Sequence, residues 1–195
     1  HAARAARPVH RRPRGLRGHP AHTPTPLAYG IDKPSGAWLA AHQHNEREAA
    51  SALLAHLAAG ERVAYASDAG TPGISDPGAR LVEAVRAAGL GVVALPGASS
   101  VTCAVSASGL AGDGHFVFLG FLGAKSGERQ QAVQAVAAEP RAQVLLEAPH
   151  RIAALARELA PLDERLLTCC RELTKQHEQV HTLPAREFAD WLAQD

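Results

Sequence analysis

Methionine is absent from all 195 residues, and cysteine occurs only three times, at Cys103, Cys169 and Cys170. Three thiols in a chain of this length cannot build a disulfide scaffold, so a reducing cytoplasm is the simpler setting. The missing initiator methionine marks the chain, in this reading, as a piece of a longer protein. Aromatic residues make up only 4%, which leaves much of the packing to alanine. No run approaches the ~18 uncharged apolar residues of a membrane span, so no membrane partner is expected. Strong charge of one sign is also lacking, since the formal net charge is +1. That balance hides an asymmetry. Residues 1–28 hold six Arg and neither Lys nor acid (+6), while the remainder has fourteen basic and nineteen acidic side chains (−5). What is present is a hydrophobic fraction of 46%, enough for a core and incompatible with wholesale disorder. The length suits one large domain or two small ones.

Residues 1–28 are built mainly from Ala, Arg, Pro and His, with proline at 8, 13, 20, 24 and 26 and no apolar period. Each proline removes a backbone donor and turns its predecessor away from helix. One reading is a basic RNA-binding arm. The other is sequence without evolved structure, because this bias is what GC-rich coding DNA yields out of frame. Either way the segment is expected to be irregular.

From Tyr29 the texture becomes that of an α/β protein. Asn45 followed by Glu48 resembles a capping box, and Leu53, Leu54 and Leu57 give one apolar face, predicting a helix over 46–59 that stops at Gly60. RVAYA (62–66) reads as a strand, followed by the loop SDAGTPGISDPG (67–78). Asp76 and Pro77 then fit N-cap and N1 of a helix running through Leu81, Val82 and Val85 to Gly89. GVVAL (91–95) reads as a second strand, adjacent to the first or one apart in a parallel βαβ unit. PGASS opens a further helix ending near Gly109, and the Gly-rich stretch 108–115 fits a linker between an N-terminal α/β domain (29–112) and a C-terminal one (113–195). Beyond it come strands at 116–120, 143–147 and 165–170, helices over 128–138 and up to about 160, and a last helix from Pro184.

The loop 67–78 carries the strongest chemical signal. It follows a strand's carboxyl end and precedes a helix, the place where open α/β sheets bind ligands, and Gly70, Gly73 and Gly78 permit close backbone approach. It contains no G-x-G-x-x-G, and GFLGAKS (120–126) misses a Walker loop at Ala124. Helix capping suffices to explain Asp76, while Asp68 stands open between a ligand contact and a structural role. His42, His44 and Glu46 look like a metal cluster but lack a partner at a zinc spacing, so a solvated loop and cap is the simpler account and no metal is expected. Cys169 and Cys170 sit in a strand, where alternation sends one to the core, and neither reads as a nucleophile. Lys125, Arg129, His150, Arg151, Arg171 and Lys175 all fall at strand ends, which suggests an anion-facing rim suited to RNA phosphate.

SDAGTPGISDPGARLV (67–82), PGASSV (96–101), GFLGAKSGER (120–129), EAPHR (147–151) and RELTK (171–175) occur in this order, with AYGID and HNEREA upstream. From Tyr29 onward the chain resembles the bacterial ribosomal RNA small-subunit methyltransferase I family, within the tetrapyrrole methylase superfamily of class III S-adenosylmethionine (SAM) methyltransferases. The resemblance implies two α/β domains with SAM in the cleft between them, and cytidine ribose 2′-O-methylation of 16S rRNA in the small ribosomal subunit. A second copy of the chain is a compatible partner. By the same resemblance Ser67, Asp68, Ala69 and Thr71, with Ser99 and Ser100, line the SAM pocket, and Leu146 and Glu147 complete it. Lys125, Arg129, Arg151, Arg171 and Lys175 face the RNA. A 2′-hydroxyl is a weak nucleophile whose proton must be removed, and Glu147, Glu172 or an uncharged Lys175 are the candidate bases.

Three departures from the family pattern stand out. Gly123 replaces the proline of GFLP. The family's first strand with its Thr-Pro-Ile-Gly-Asn loop, and the later Glu-Asp-Thr-Arg motif, are missing where residues 1–28 stand, as a frameshift just upstream of Tyr29 would produce. The family's closing stretch with Lys-Gly-Glu does not follow Asp195. On this reading the fold is incomplete at both ends, a strand edge is left unpaired, and methylation by this chain is expected to be inefficient. The alternatives are a corrin or porphyrin C-methyltransferase of the same superfamily, against which RELTK argues, and an inactive folded remnant that binds RNA or nothing.

Overall fold

The computed structural model describes residues 14–17, 37–42, 44–67, 70–75, 78–123 and 125–194. It divides into two compact units, His1–Gly97 and Ala98–Asp195. The expected boundary at 112/113 lies later than this division. The reason is α3 (Ser100–Ser108), whose helix lines a cavity formed by second-unit strands and so groups with them.

The first unit is a parallel sheet of β1 (Arg14–Arg17), β2 (Trp38–Ala40) and β3 (Val63–Ala66) in the order β2-β1-β3. Gly15 pairs with Trp38 on one side and with Ala64 on the other. Two expectations are corrected here. Residues 1–28 are not irregular throughout, and the edge of β3 facing β1 is paired. Judging order by apolar side-chain period overlooks a central strand, whose order comes from two backbone ladders. The rest of 1–28 lies outside the described residues.

α1 (Glu46–Ala58) connects β2 to β3, and α2 (Ala79–Ala87) packs with it through Ala49, Ala50, Leu53, Leu81 and Val85, all buried together with Ala41. Small residues on α1 let the two helices approach closely, which compensates for the scarcity of aromatics. Asn45 does not cap α1 as expected. Its Oδ1 accepts from the His42 N–H at 2.8 Å and its Nδ2 donates to the Ala40 carbonyl at 3.1 Å, so it braces the turn between β2 and α1 instead. GVVAL (91–95) forms no strand, and Val93 and Leu95 are exposed. An apolar β-branched run becomes a strand only where it ladders to a neighbour, and among the described strands none pairs with it.

The second unit contains β4 (Phe116–Phe121), α4 (Ser126–Ala138), β5 (Ala142–Leu146), α5 (Ile152–Leu159), β6 (Leu166–Arg171), β7 (Gln179–Pro184) and α6 (Phe188–Ala193). β4 and β5 are parallel, with a register shift between Phe118 and Gly120 where Gly120 takes φ +66°. β6 and β7 form an antiparallel pair. β7 has no counterpart in the sequence reading, which placed only a helix from Pro184. That helix instead starts with a 3₁₀ turn at Ala185–Glu187. α5 joins the two layers through two overlapping cores, Leu122–Val136–Leu155–Leu159 and Ala156–Leu183–Phe188. The two sheets are not hydrogen-bonded to each other. A cavity of about 600 Å³ is lined by both β5 and β6, by α3 and by Glu147. Among the described residues no helix is long and apolar enough to cross a membrane.

Candidate functional site

In the first unit the site is the turn that leaves β3. Ser67 Oγ donates to the Gly70 carbonyl at 2.9 Å, which folds the start of the loop back on itself. Ile74 N–H donates to the Thr71 carbonyl at 3.2 Å. Left-handed conformations recur at Gly70 (φ +72°), Gly73 (φ +78°) and Ser75 (φ +54°). A Cβ added at Gly70 or Gly73 would meet open space, so both glycines leave backbone accessible to a ligand. Asp68, Ala69, Asp76 and Pro77 lie outside the described residues. The helix that follows starts at Ala79 with Gly78 as its N-cap, two residues later than the sequence suggests.

Gly78 is fixed for steric reasons. Its φ of +135° suits glycine alone, and a Cβ would lie 2.8 Å from Tyr65 Cε1. Gly78→Ala is expected to destabilise the fold by about 1–3 kcal/mol, since the strain and the ring contact add. Denaturant titration checks this, and Tyr65→Val in the same chain should recover part of the loss.

Sequence reading noticed Glu46 but not its partners. Rather than a solvated cap or a metal ligand, its carboxylate is buried, accepts the Gly78 N–H at 3.0 Å and lies 3.4 Å from Arg80 Nη1. Among the described residues no group of three His, Cys, Asp or Glu could hold a metal.

In the second unit the carboxyl ends of β4 and β5 meet around Glu147. Its side chain is only 2% exposed. Oε1 accepts its neighbour's Ala148 N–H at 2.8 Å and lies 3.1 Å from Arg151 Nε. Oε2 is buried and has no hydrogen-bond partner among the described residues. Arg151 Nη2 also donates to the Leu122 carbonyl at 2.8 Å, so this guanidinium ties the end of β4 to the end of β5. Arg129 donates to both Glu158 oxygens at 2.5 and 2.7 Å. Those bonds raise its pKa above the ordinary guanidinium value, against a smaller opposing effect of burial.

The basic strand-end set therefore divides. Arg129 and Arg151 have side chains 12% and 24% exposed and are engaged with partners within the fold. Lys125, His150, Arg171 and Lys175 are exposed. Lys125 pairs with Glu128 at 3.5 Å and Lys175 with Glu172 at 3.0 Å. Glu172 and Lys175 thus pair at the open surface, whereas the Glu147–Arg151 pair is sheltered. Ser99 is half-buried and precedes α3, Ser100 is its exposed first residue, and Leu146 ends β5 beside the cavity. Burial pushes the Cys170 thiol up, with the Glu178 charge adding to it, which disfavours the thiolate.

A relative from Pseudomonas aeruginosa, ribosomal RNA small subunit methyltransferase I, is 43% identical over 169 residues, which is 86% of this chain and 58% of that protein. Its namesake from a Synechocystis species is 50% identical over 140 residues, 71% of this chain and 50% of that protein. The chain thus spans about half the length of the curated relatives it matches. Among solved structures, the cobalt precorrin-4 methyltransferase of cobalamin biosynthesis superposes with a TM-score of 0.62 at 14% identity, over 92% of this chain and 77% of that one. The uroporphyrin-III C-methyltransferase of Thermus thermophilus complexed with S-adenyl homocysteine gives 0.54 at 19% identity, over 92% of this chain and 79% of that one. These two show the fold, that of the class III methyltransferases. The profile of the tetrapyrrole (corrin/porphyrin) methylases matches residues 8–189, from before the central strand into the last helix, and the chain belongs to that family.

Proposed function

We propose that this chain carries out SAM-dependent 2′-O-methylation of a cytidine ribose in 16S rRNA, acting on the small ribosomal subunit in the cytoplasm. The observation that carries the reading is the 43% identity over 86% of the chain to a ribosomal RNA small subunit methyltransferase I. The loop after β3 fits a polar cofactor, because a Cβ at Gly70 or Gly73 would meet open space and the backbone there can be approached closely. In that unit Ser67, Asp68, Ala69 and Thr71 are the residues assigned to SAM. Ser99, Ser100 and Leu146 keep the same assignment from the resemblance. SAM supplies an electrophilic methyl group on a sulfonium.

The chain's own task is to hold the ribose hydroxyl and take its proton. Of the three candidate acceptors, Glu147 has one oxygen anchored by Ala148 N–H and Arg151 and a second with no partner among the described residues. That is the arrangement of a fixed proton acceptor. Glu172 and Lys175 are exposed and engaged with each other. Exposed Lys125, Arg171 and Lys175 are assigned to RNA phosphate, a contact that salt should weaken.

Transfer of tritium from methyl-labelled SAM tests the reading, with small ribosomal subunits, protein-free 16S rRNA and a uroporphyrinogen offered side by side. Label in the ribosomal particle supports it. Label only in the tetrapyrrole would transfer the assignment to C-methylation, and label in none would remove it.

A further inference from the structure

Acidic residues in a helix's first turn usually serve that helix's own N-terminus. Glu46 opens α1 but turns its carboxylate to another element. Oε1 takes the Gly78 N–H, 32 residues later in the chain, and Oε2 faces Arg80. Glu46 is buried, at 9% exposure, whereas the Arg80 side chain is 64% exposed. The bond to Gly78 is therefore the sheltered one.

Three constraints then meet at Gly78: its φ of +135°, the Tyr65 ring beneath it and the Glu46 carboxylate on its N–H. Tyr65 belongs to β3, which leads into the loop, and Gly78 ends it. The first donor of α2 is occupied by a side chain, so this N–H is not offered to an anionic ligand. What remains open is the left-handed backbone over 70–75.

We propose that Glu46 is a positioning residue for the cofactor: its carboxylate anchors the far end of the 67–78 loop and so fixes the conformation in which that loop meets SAM. The inference rests on the reading of this loop as SAM-binding. It joins the HNEREA stretch to the SDAGTPGISDPG stretch through one hydrogen bond.

The test is calorimetric titration of the full chain with S-adenosylhomocysteine, at a temperature where every variant is folded by circular dichroism. Hydrogen exchange at the Gly78 amide is followed in parallel. Glu46→Ala should weaken binding by about tenfold or more, the loss expected for a charge-assisted bond to a sheltered donor. Glu46→Gln, which keeps an acceptor oxygen, should restore affinity to within about threefold of the parent. Glu46→Asp, one methylene too short to reach Gly78, should behave like Ala, and it carries the test if the Ala variant does not fold. Loss of Gly78 protection with unchanged affinity would overturn the inference, because Glu46 would then be structural only. Parent protein that binds no S-adenosylhomocysteine would overturn the cofactor reading itself, a result visible before any variant is made.

Discussion

Glu147→Gln is expected to lower methyl transfer to small ribosomal subunits by about 10²–10⁴-fold, the usual contribution of a positioned general base. The side chain is nearly isosteric, so the cavity wall and the Leu122–Arg151 tie at the strand ends stay in place. What changes is chemistry. Glu147 keeps one oxygen anchored and one buried without a partner among the described residues, and an amide cannot accept the ribose proton. Because the amide keeps the shape of the pocket wall at Glu147 and the 67–78 loop is unchanged, KM for SAM should stay within about twofold while kcat falls. Glu172→Gln serves as the comparison, and its exposed pairing with Lys175 predicts a small effect. Equal losses in both variants would remove Glu147 from the proton step.

Phe188→Ala should produce the largest stability loss in the second unit, about 3–5 kcal/mol. Phe188 is 2% exposed and closes the core of Ala156 and Leu183, where α5, β7 and α6 meet. Its ring also stacks on Trp191, with centroids 6.0 Å apart and planes 20° from parallel. The chain has four phenylalanines in all, and small neighbours such as Ala156 and Ala185 cannot collapse into the space left behind. Urea unfolding followed by Trp191 fluorescence measures the loss. A change below about 1 kcal/mol would mean that the site relaxes in a way this packing does not allow.

Features legible in the sequence share one property: short-range chemistry decides them. The loop after β3 declares itself through Gly70, Gly73 and Gly78, and the apolar face of Leu53 and Leu57 marks α1 within a residue of its observed end. Cys169 and Cys170 fall in a strand as read, although both are half-buried instead of one facing the core. Features that escaped depend on distant partners. β1 is ordered by ladders to β2 and β3 and carries no apolar period of its own. GVVAL has every local mark of a strand, yet no described strand pairs with it. Glu46 looks like an ordinary first-turn acid until Gly78 is brought to it from 32 residues away. A sequence shows the charge of Arg129 and Arg151 but not their acceptors at Glu158 and the Leu122 carbonyl. The ordered motifs pointed to the right family, since several of them in register constrain a fold more tightly than any single period.

The most direct measurement is nucleoside mass spectrometry of 16S rRNA, recovered from unmodified small ribosomal subunits after incubation with this chain and SAM carrying a deuterated methyl group. The account predicts deuterated 2′-O-methylcytidine at a single position, abolished by Glu147→Gln. Deuterium on a base, or rRNA without any deuterated nucleoside, would contradict it.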